Sequence, residues 1–265
     1  MHLHLKPWHP GRMLSCILLA QLLGSVPAFC VSIIVPNDLF NVEGNAAATV
    51  PFDIGTGTAR YQQVYDASQF APFGQFGGIG PGGAWITMLS FRVDVNNSMA
   101  QGFDTTLPSI QINLSTTAKA PDALSPVFAQ NVGADDTIVH AAGPLSIRAG
   151  GPAGPGAWDI SIPLTRPFFY LPSSGNLLMD VRNFGGGTTT FFDDQLALGD
   201  SISVVVSWSG VGGSVDSATG TTGTSGLVTL FEVTPVPEPA SLSFAVLGIC
   251  AVALARTCGK SARRS

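Results

Sequence analysis

The sequence predicts an all-β fold: a β-sandwich of jelly-roll type, flanked by an N-terminal signal helix and a C-terminal transmembrane helix. Three observations carry this. Segments of strict apolar/polar alternation recur through the middle of the chain, turns rich in Gly, Pro, Ser and Thr separate them, and no window from Ile33 to Pro235 has a comparable helical period. Alternation with one polar face is what antiparallel sheets packed face to face require. Scarce Lys and Glu with abundant Thr, Ser, Gly and Val suit the same class, and roughly eight short strands suit a jelly roll.

In chain order, Ile33 to Gly57 reads as an edge strand followed by a loop, and Arg60 to Tyr65 as the first full strand. Phe70 to Gly83, rich in Gly, Pro and Phe, reads as irregular. From Leu89 to Val95 the residues Leu89, Phe91, Val93 and Val95 share one face, with Ser90, Arg92 and Asp94 on the other. Ile110, Ile112 and Leu114 oppose Ser109, Gln111 and Asn113. Trp158, Ile160, Ile162 and Leu164 oppose Asp159 and Ser161, and Ile202, Val204, Val206 and Trp208 oppose Ser201, Ser203 and Ser207. Leu145 to Ala149, Leu177 to Asn183 and Leu227 to Val233 repeat the pattern more loosely. Gly210 to Gly226 reads as a long flexible hairpin loop, and Thr234 to Pro239 as a linker.

The two ends read as routing segments. Met1 to Arg12 carries Lys6 and Arg12, Met13 to Leu23 is apolar, and Ser25-Val26-Pro27-Ala28 offers cleavage after Ala28. Residues 1–28 are therefore a secretory signal peptide, and 29–234 an extracellular domain. Phe29 to Pro235 holds six basic residues against sixteen acidic ones, a net charge near −10 that argues against nucleic acid and anionic membrane surfaces as partners. Of the four cysteines only Cys30 falls in that domain, so its core is built without an internal disulfide.

Residues 235–265 hold the other routing segment. Val236, Pro237, Glu238 and Pro239 form a stiff extended spacer. The sixteen uncharged residues Ala240–Ala255 follow, then Arg256, Lys260, Arg263 and Arg264 within the basic tail 256–265. As a helix the apolar run reaches roughly 24 Å, slightly short of a ~30 Å hydrocarbon core, and snorkelling basic residues close the gap. The positive-inside rule keeps the basic end cytoplasmic. This arrangement resembles the PEP-CTERM sorting signal of bacterial surface proteins. The resemblance covers about a tenth of the chain, from Val236 to about Arg264. It implies an exosortase-type processing enzyme as partner, transient residence in the inner membrane, removal of the tail, and export to the cell envelope, the cell surface or the exopolysaccharide of a biofilm matrix. It carries sorting and no biochemistry. Ser109 to Thr117 and Ile162 to Arg182 resemble segments recurring in PEP-CTERM proteins without known activity.

Chemistry-bearing residues are sparse. His140 is the sole histidine after the signal segment, so a triad would have to use it with Asp135 or Asp136, yet no Gly-x-Ser-x-Gly elbow is present. One histidine without paired cysteines does not make a zinc site. Glu43 and Glu232 are the only glutamates before the tail, and no spacing marks a hydrolytic carboxylate pair. Asp135, Asp136, Asp193 and Asp194 sit in expected loops. Without an Asp-x-Asp-x-Asp-Gly loop they read first as solvated turn residues, with calcium as the ion they would take. Trp85, Trp158 and Trp208, with Phe168, Phe169, Tyr170, Phe191 and Phe192, are aromatics enough for a sugar-stacking platform. Alternation assigns Trp158 and Trp208 to core packing. Phe73, Phe76 and Trp85, in or beside the Gly-rich loop, are the ligand-contact candidates, with core packing or loop anchoring as their first reading. The expectation is an exported, non-catalytic structural or adhesive surface protein. A carbohydrate-binding, lectin-like module assisted by calcium is the alternative, and a secreted hydrolase ranks third.

Overall fold

The computed structural model describes residues 30–71 and 77–236. Ala28, Phe73, Phe76, Pro237, Glu238, Pro239, Arg256, Lys260, Arg263, Arg264 and the apolar run 240–255 lie outside them. The described chain is all-β. Its strands are β1 (Val31–Val35), β2 (Ala46–Ala48), β3 (Ala59–Tyr65), β4 (Ala84–Phe91), β5 (Phe103–Thr117), β6 (Thr137–Ala149), β7 (Ile160–Tyr170), β8 (Asn176–Asn183), β9 (Phe192–Leu196), β10 (Ile202–Trp208), β11 (Thr221–Gly223), β12 (Ser225–Leu227) and β13 (Thr229–Pro235). Short 3-10 turns are the only helical pieces among the described residues, and no helix there is long and apolar enough to cross a membrane.

The strands form three sheets with antiparallel pairing: β1-β13-β4-β7, β11-β10-β3-β8-β5-β6, and β12-β9-β2. One apolar core takes side chains from the first two sheets together. Ile33 and Val35 (β1), Ile86, Leu89 and Phe91 (β4), Ile160, Ile162, Phe168 and Tyr170 (β7), and Phe231 and Val233 (β13) come from the first. Tyr61 and Tyr65 (β3), Ile110, Ile112 and Leu114 (β5), Leu177, Met179 and Val181 (β8), and Ile202 and Val204 (β10) come from the second. Each fully buried aliphatic or aromatic side chain contributes roughly 1.5–3 kcal/mol. Edge-to-face aromatics knit the centre, with Phe231 meeting Tyr65 at 4.9 Å and Phe70 at 5.1 Å.

Three expectations are corrected by packing. The polar faces of several strands are buried, because a further segment covers the outer side of the six-stranded sheet. There Leu124 and Phe128 pack on Val64, Leu178 and Val205. The polar outer residues of that sheet pair with one another. Arg60 bridges Asp180 at 2.7 Å and lies over the Phe128 ring, and Gln62 donates to Asp180 while accepting from Asn131. Second, Trp158 and Trp208 are half-buried and leave the central core, since β7 begins only at Ile160 and Trp208 ends β10. Third, Gly210 to Gly226 is partly structured: β11 extends the six-stranded sheet and β12 pairs with β9.

Irregularities in register decide which residues face outward. In β5 the ladder shifts between Leu107 and Ile110, so an odd and an even residue both point into the core. In β4 it shifts between Ile86 and Met88, so Ala84 and Ile86 are buried from even positions and Leu89 and Phe91 from odd ones. Extending the odd-numbered apolar face of β4 backwards would bury Trp85; the bulge turns it out.

The turn before β10 supplies a pH test. Asp200 accepts from Ile202 N through Oδ1, while its Oδ2 is buried without a partner among the described residues. Burial, followed by the nearby Asp122 and Asp38 carboxylates, pushes its pKa up to about 6. A carboxyl raised in the folded state contributes stability that is full below its unfolded pKa near 4 and is lost as pH rises through about 6. Asp200→Asn keeps the Oδ1 acceptor and removes the charge. The melting temperature of the variant is expected to fall less than that of the wild type between pH 4.5 and 7.5, as read by thermal denaturation across that range.

Candidate functional site

The outward turn of Trp85 builds the most ligand-like surface among the described residues. In register, Thr234 (β13), Trp85 (β4) and Phe169 (β7) stand side by side across the four-stranded sheet. Trp85 is 44% exposed and Phe169 39%, with ring centroids 5.3 Å apart in edge-to-face contact. Two large aromatics left this open on a sheet whose opposite face is fully packed are not serving the core. Gly83 fixes the second ring: its φ is +77°, and a Cβ there would lie 2.5 Å from Phe169 Cζ. The pair borders a groove of about 760 Å³ that also takes in Asp135, Thr137, Arg166 and Pro167. Asp135 is held there by the Thr116 N–H, which donates to its Oδ1 at 2.7 Å. An apolar platform beside a carboxylate, a guanidinium and two hydroxyls suits a polyhydroxylated ligand with one apolar face.

Asp135 thus belongs to the groove, and its neighbour Asp136 does not line it. Asp136 accepts from Asn113 Nδ2 at 3.0 Å, and burial raises its pKa. Asp193 and Asp194 are both buried in β9, on opposite faces of the strand. Burial, then Asp193 and Asp200, pushes the Asp194 pKa up to about 7.

Asp193 faces a second polar centre, built on Arg92. The chain beyond β4 continues pairing with β9: Val93 bridges Phe192, and Asp193 N donates to Arg92 O at 3.1 Å. Arg92 and Asp193 are therefore cross-strand neighbours with fully buried side chains, joined at 2.6 Å. The guanidinium also donates from Nε to Asp193 at 2.7 Å, from Nη1 to Pro155 O at 2.5 Å and from Nη2 to Val42 O at 2.6 Å, and stacks 4.7 Å from the Trp158 ring centroid. One side chain thus ties four segments together. Glu43 and Asp94 bring two more carboxylates to the same place, and ligand oxygens of Glu43, Asp94 and Asp193 lie within 4.8 Å of one another. Burial, followed by Asp193, pushes the Glu43 pKa up to about 7.

His140 lies in β6 with neither ring nitrogen hydrogen-bonded, and burial lowers its pKa. Glu232 accepts from Ser32 Oγ and Cys30 Sγ, both at 2.8 Å. Burial and that carboxylate push the Cys30 thiol up to about 11, which keeps it out of the nucleophilic thiolate form at neutral pH.

The sequence singles out Trp85 and counts Phe169 only among several aromatics, since its exposure depends on pairing with β4; it does not point to the centre of Arg92, Glu43 and Asp94. Arg92 sits where a solvated polar face is expected, and no local signal separates a buried guanidinium from an exposed one. Neither a protein-family model, nor a curated protein, nor a solved structure matches the chain. The sorting resemblance of the tail therefore rests on its own residues.

Proposed function

We propose that this chain is an exported bacterial surface protein whose non-catalytic domain adheres to extracellular carbohydrate, and that its VPEP tail routes it through an exosortase-type enzyme. The domain is a sandwich of jelly-roll type. Supporting this, the sheets β1-β13-β4-β7 and β3-β8-β5-β6 have the alternating order that two nested Greek keys generate, with β10 and β11 added beyond β3. The observation that carries adhesion is the exposed Trp85–Phe169 pair beside Asp135 and Arg166. Aromatic faces stack on the C–H face of a sugar ring while the polar neighbours take its hydroxyls. The fit to exopolysaccharide matches the destination that the tail implies.

A glycan array, followed by titration of any hit, tests this. Trp85→Ala is expected to weaken binding at least about tenfold, the equivalent of ~1.4 kcal/mol. Its melting temperature should change little, because the ring is half in solvent. A wild-type protein that binds no glycan on the array, or a Trp85→Ala variant that binds as well as wild type, would remove the adhesive reading.

A further inference from the structure

We infer that Glu43, Asp94 and Asp193 form a binding site for a hard divalent cation of the calcium class, at the junction of β4, β9 and the loop before β2. The site is separate from the aromatic groove and does not depend on glycan binding. Three carboxylates converge with oxygens within 4.8 Å of one another, against one guanidinium. Arg92 answers only part of that charge. It holds Asp193 Oδ2 and stands 4.0 Å from Glu43 Oε1. Asp94 Oδ1 accepts from the Asn96 N–H, and Asp193 Oδ1 from the Gly44 N–H, so backbone amides fix both carboxylates in place.

Glu43 supplies the independent pointer to a ligand. Its side chain is 92% buried by its 8% exposure, and neither carboxylate oxygen has a hydrogen-bond partner among the described residues. Val95 N–H faces it but falls short of hydrogen-bonding geometry. A buried carboxylate with both oxygens unsatisfied is costly unless something charged meets it. The donor set is all oxygen, with no imidazole or thiolate in it, which selects calcium or magnesium over zinc or copper. Three side chains provide fewer than the six to eight oxygens calcium takes, so water completes the shell. The backbone geometry is built to hold this approach. At Gly44 a Cβ would meet Asp194 O at 2.2 Å and Asp193 Oδ1 at 2.9 Å, so only glycine brings the Glu43 loop this close to β9. With the Arg92 charge opposing the ion, affinity belongs to the weak extracellular range, Kd about 10⁻⁴–10⁻³ M.

The competing occupant is a proton held by Glu43, and the test separates the two. The full chain in mild detergent is stripped with a chelator and melted at pH 8 at constant ionic strength with sodium, magnesium or calcium. Calcium at about 10 mM is expected to raise the wild-type melting temperature saturably by about 3–11 °C, and Glu43→Gln to abolish the rise. Asp216→Asn, at the exposed turn between β10 and β11, should retain it. A second readout does not depend on folding energetics. Terbium bound at this site lies near Trp158 and should luminesce on indole excitation, calcium should quench that signal competitively, and Trp158→Phe should diminish it. A wild-type melting temperature that calcium leaves no higher than sodium does, or a calcium response undiminished in Glu43→Gln, overturns the site and leaves the proton as the occupant.

Discussion

Replacing Arg92 with Met is expected to destabilise the domain by about 3–5 kcal/mol, the usual cost of removing one partner of a buried ion pair. At roughly 2–4 °C per kcal/mol for a domain of this size, the melting temperature should drop by about 6–20 °C. The reason is positional. Arg92 and Asp193 are both shielded from solvent, and removing the guanidinium strands a buried carboxylate beside Glu43 and Asp94. It also leaves Pro155 O and Val42 O without their donor. Arg92→Met combined with Asp193→Leu should recover part of the loss, since an apolar pair carries no uncompensated charge. Chemical denaturation of the single and double variants measures both. A single variant within about 1 kcal/mol of wild type would show that Arg92 does not organise this junction.

The second large effect concerns routing. In a host with an exosortase, Glu238→Ala is expected to convert a clipped product into an accumulating precursor, and deletion of Arg263 and Arg264 should do the same. On the proposed routing, Glu238 is the charged residue of the VPEP motif that the enzyme would read, and Arg263 and Arg264 would hold the end of the apolar run at the cytoplasmic face under the positive-inside rule. Immunoblotting of membrane and extracellular fractions reads the outcome. Unchanged processing in both variants would remove the sorting assignment while leaving the groove and the carboxylate cluster untouched.

What the sequence made legible follows the range of the physical signal. Period-two patterning identified the cores of β4, β5, β7 and β10, and more loosely those of β6, β8 and β13, because each buries one face in the shared core whatever its partners. It could not foresee the bulges near Ile86 and Leu107, since an inserted residue leaves no local trace when both phases carry apolar side chains. Trp85 was reached through its neighbouring glycine-rich loop and not through strand phase, which alone would have buried it. Phe169 could not be told apart from the neighbouring aromatics because its surroundings come from β4 and Gly83. The Arg92 centre was least legible: Glu43, Asp94 and Asp193 are separated by up to 150 residues and meet only after β9 pairs beyond the end of β4. The members of each aspartate doublet go to different places for the same reason. Asp193 joins that centre, whereas Asp135 is drawn to the groove and Asp136 to Asn113.

The most direct test of the account as a whole is the intact mass of the protein recovered from the envelope and extracellular fractions of an exosortase-bearing host. The expected species begins at Phe29, lacks the apolar and basic residues beyond the VPEP motif, and retains the whole all-β domain with its Trp85–Phe169 groove. An unclipped chain of all 265 residues confined to the cytosol would contradict it.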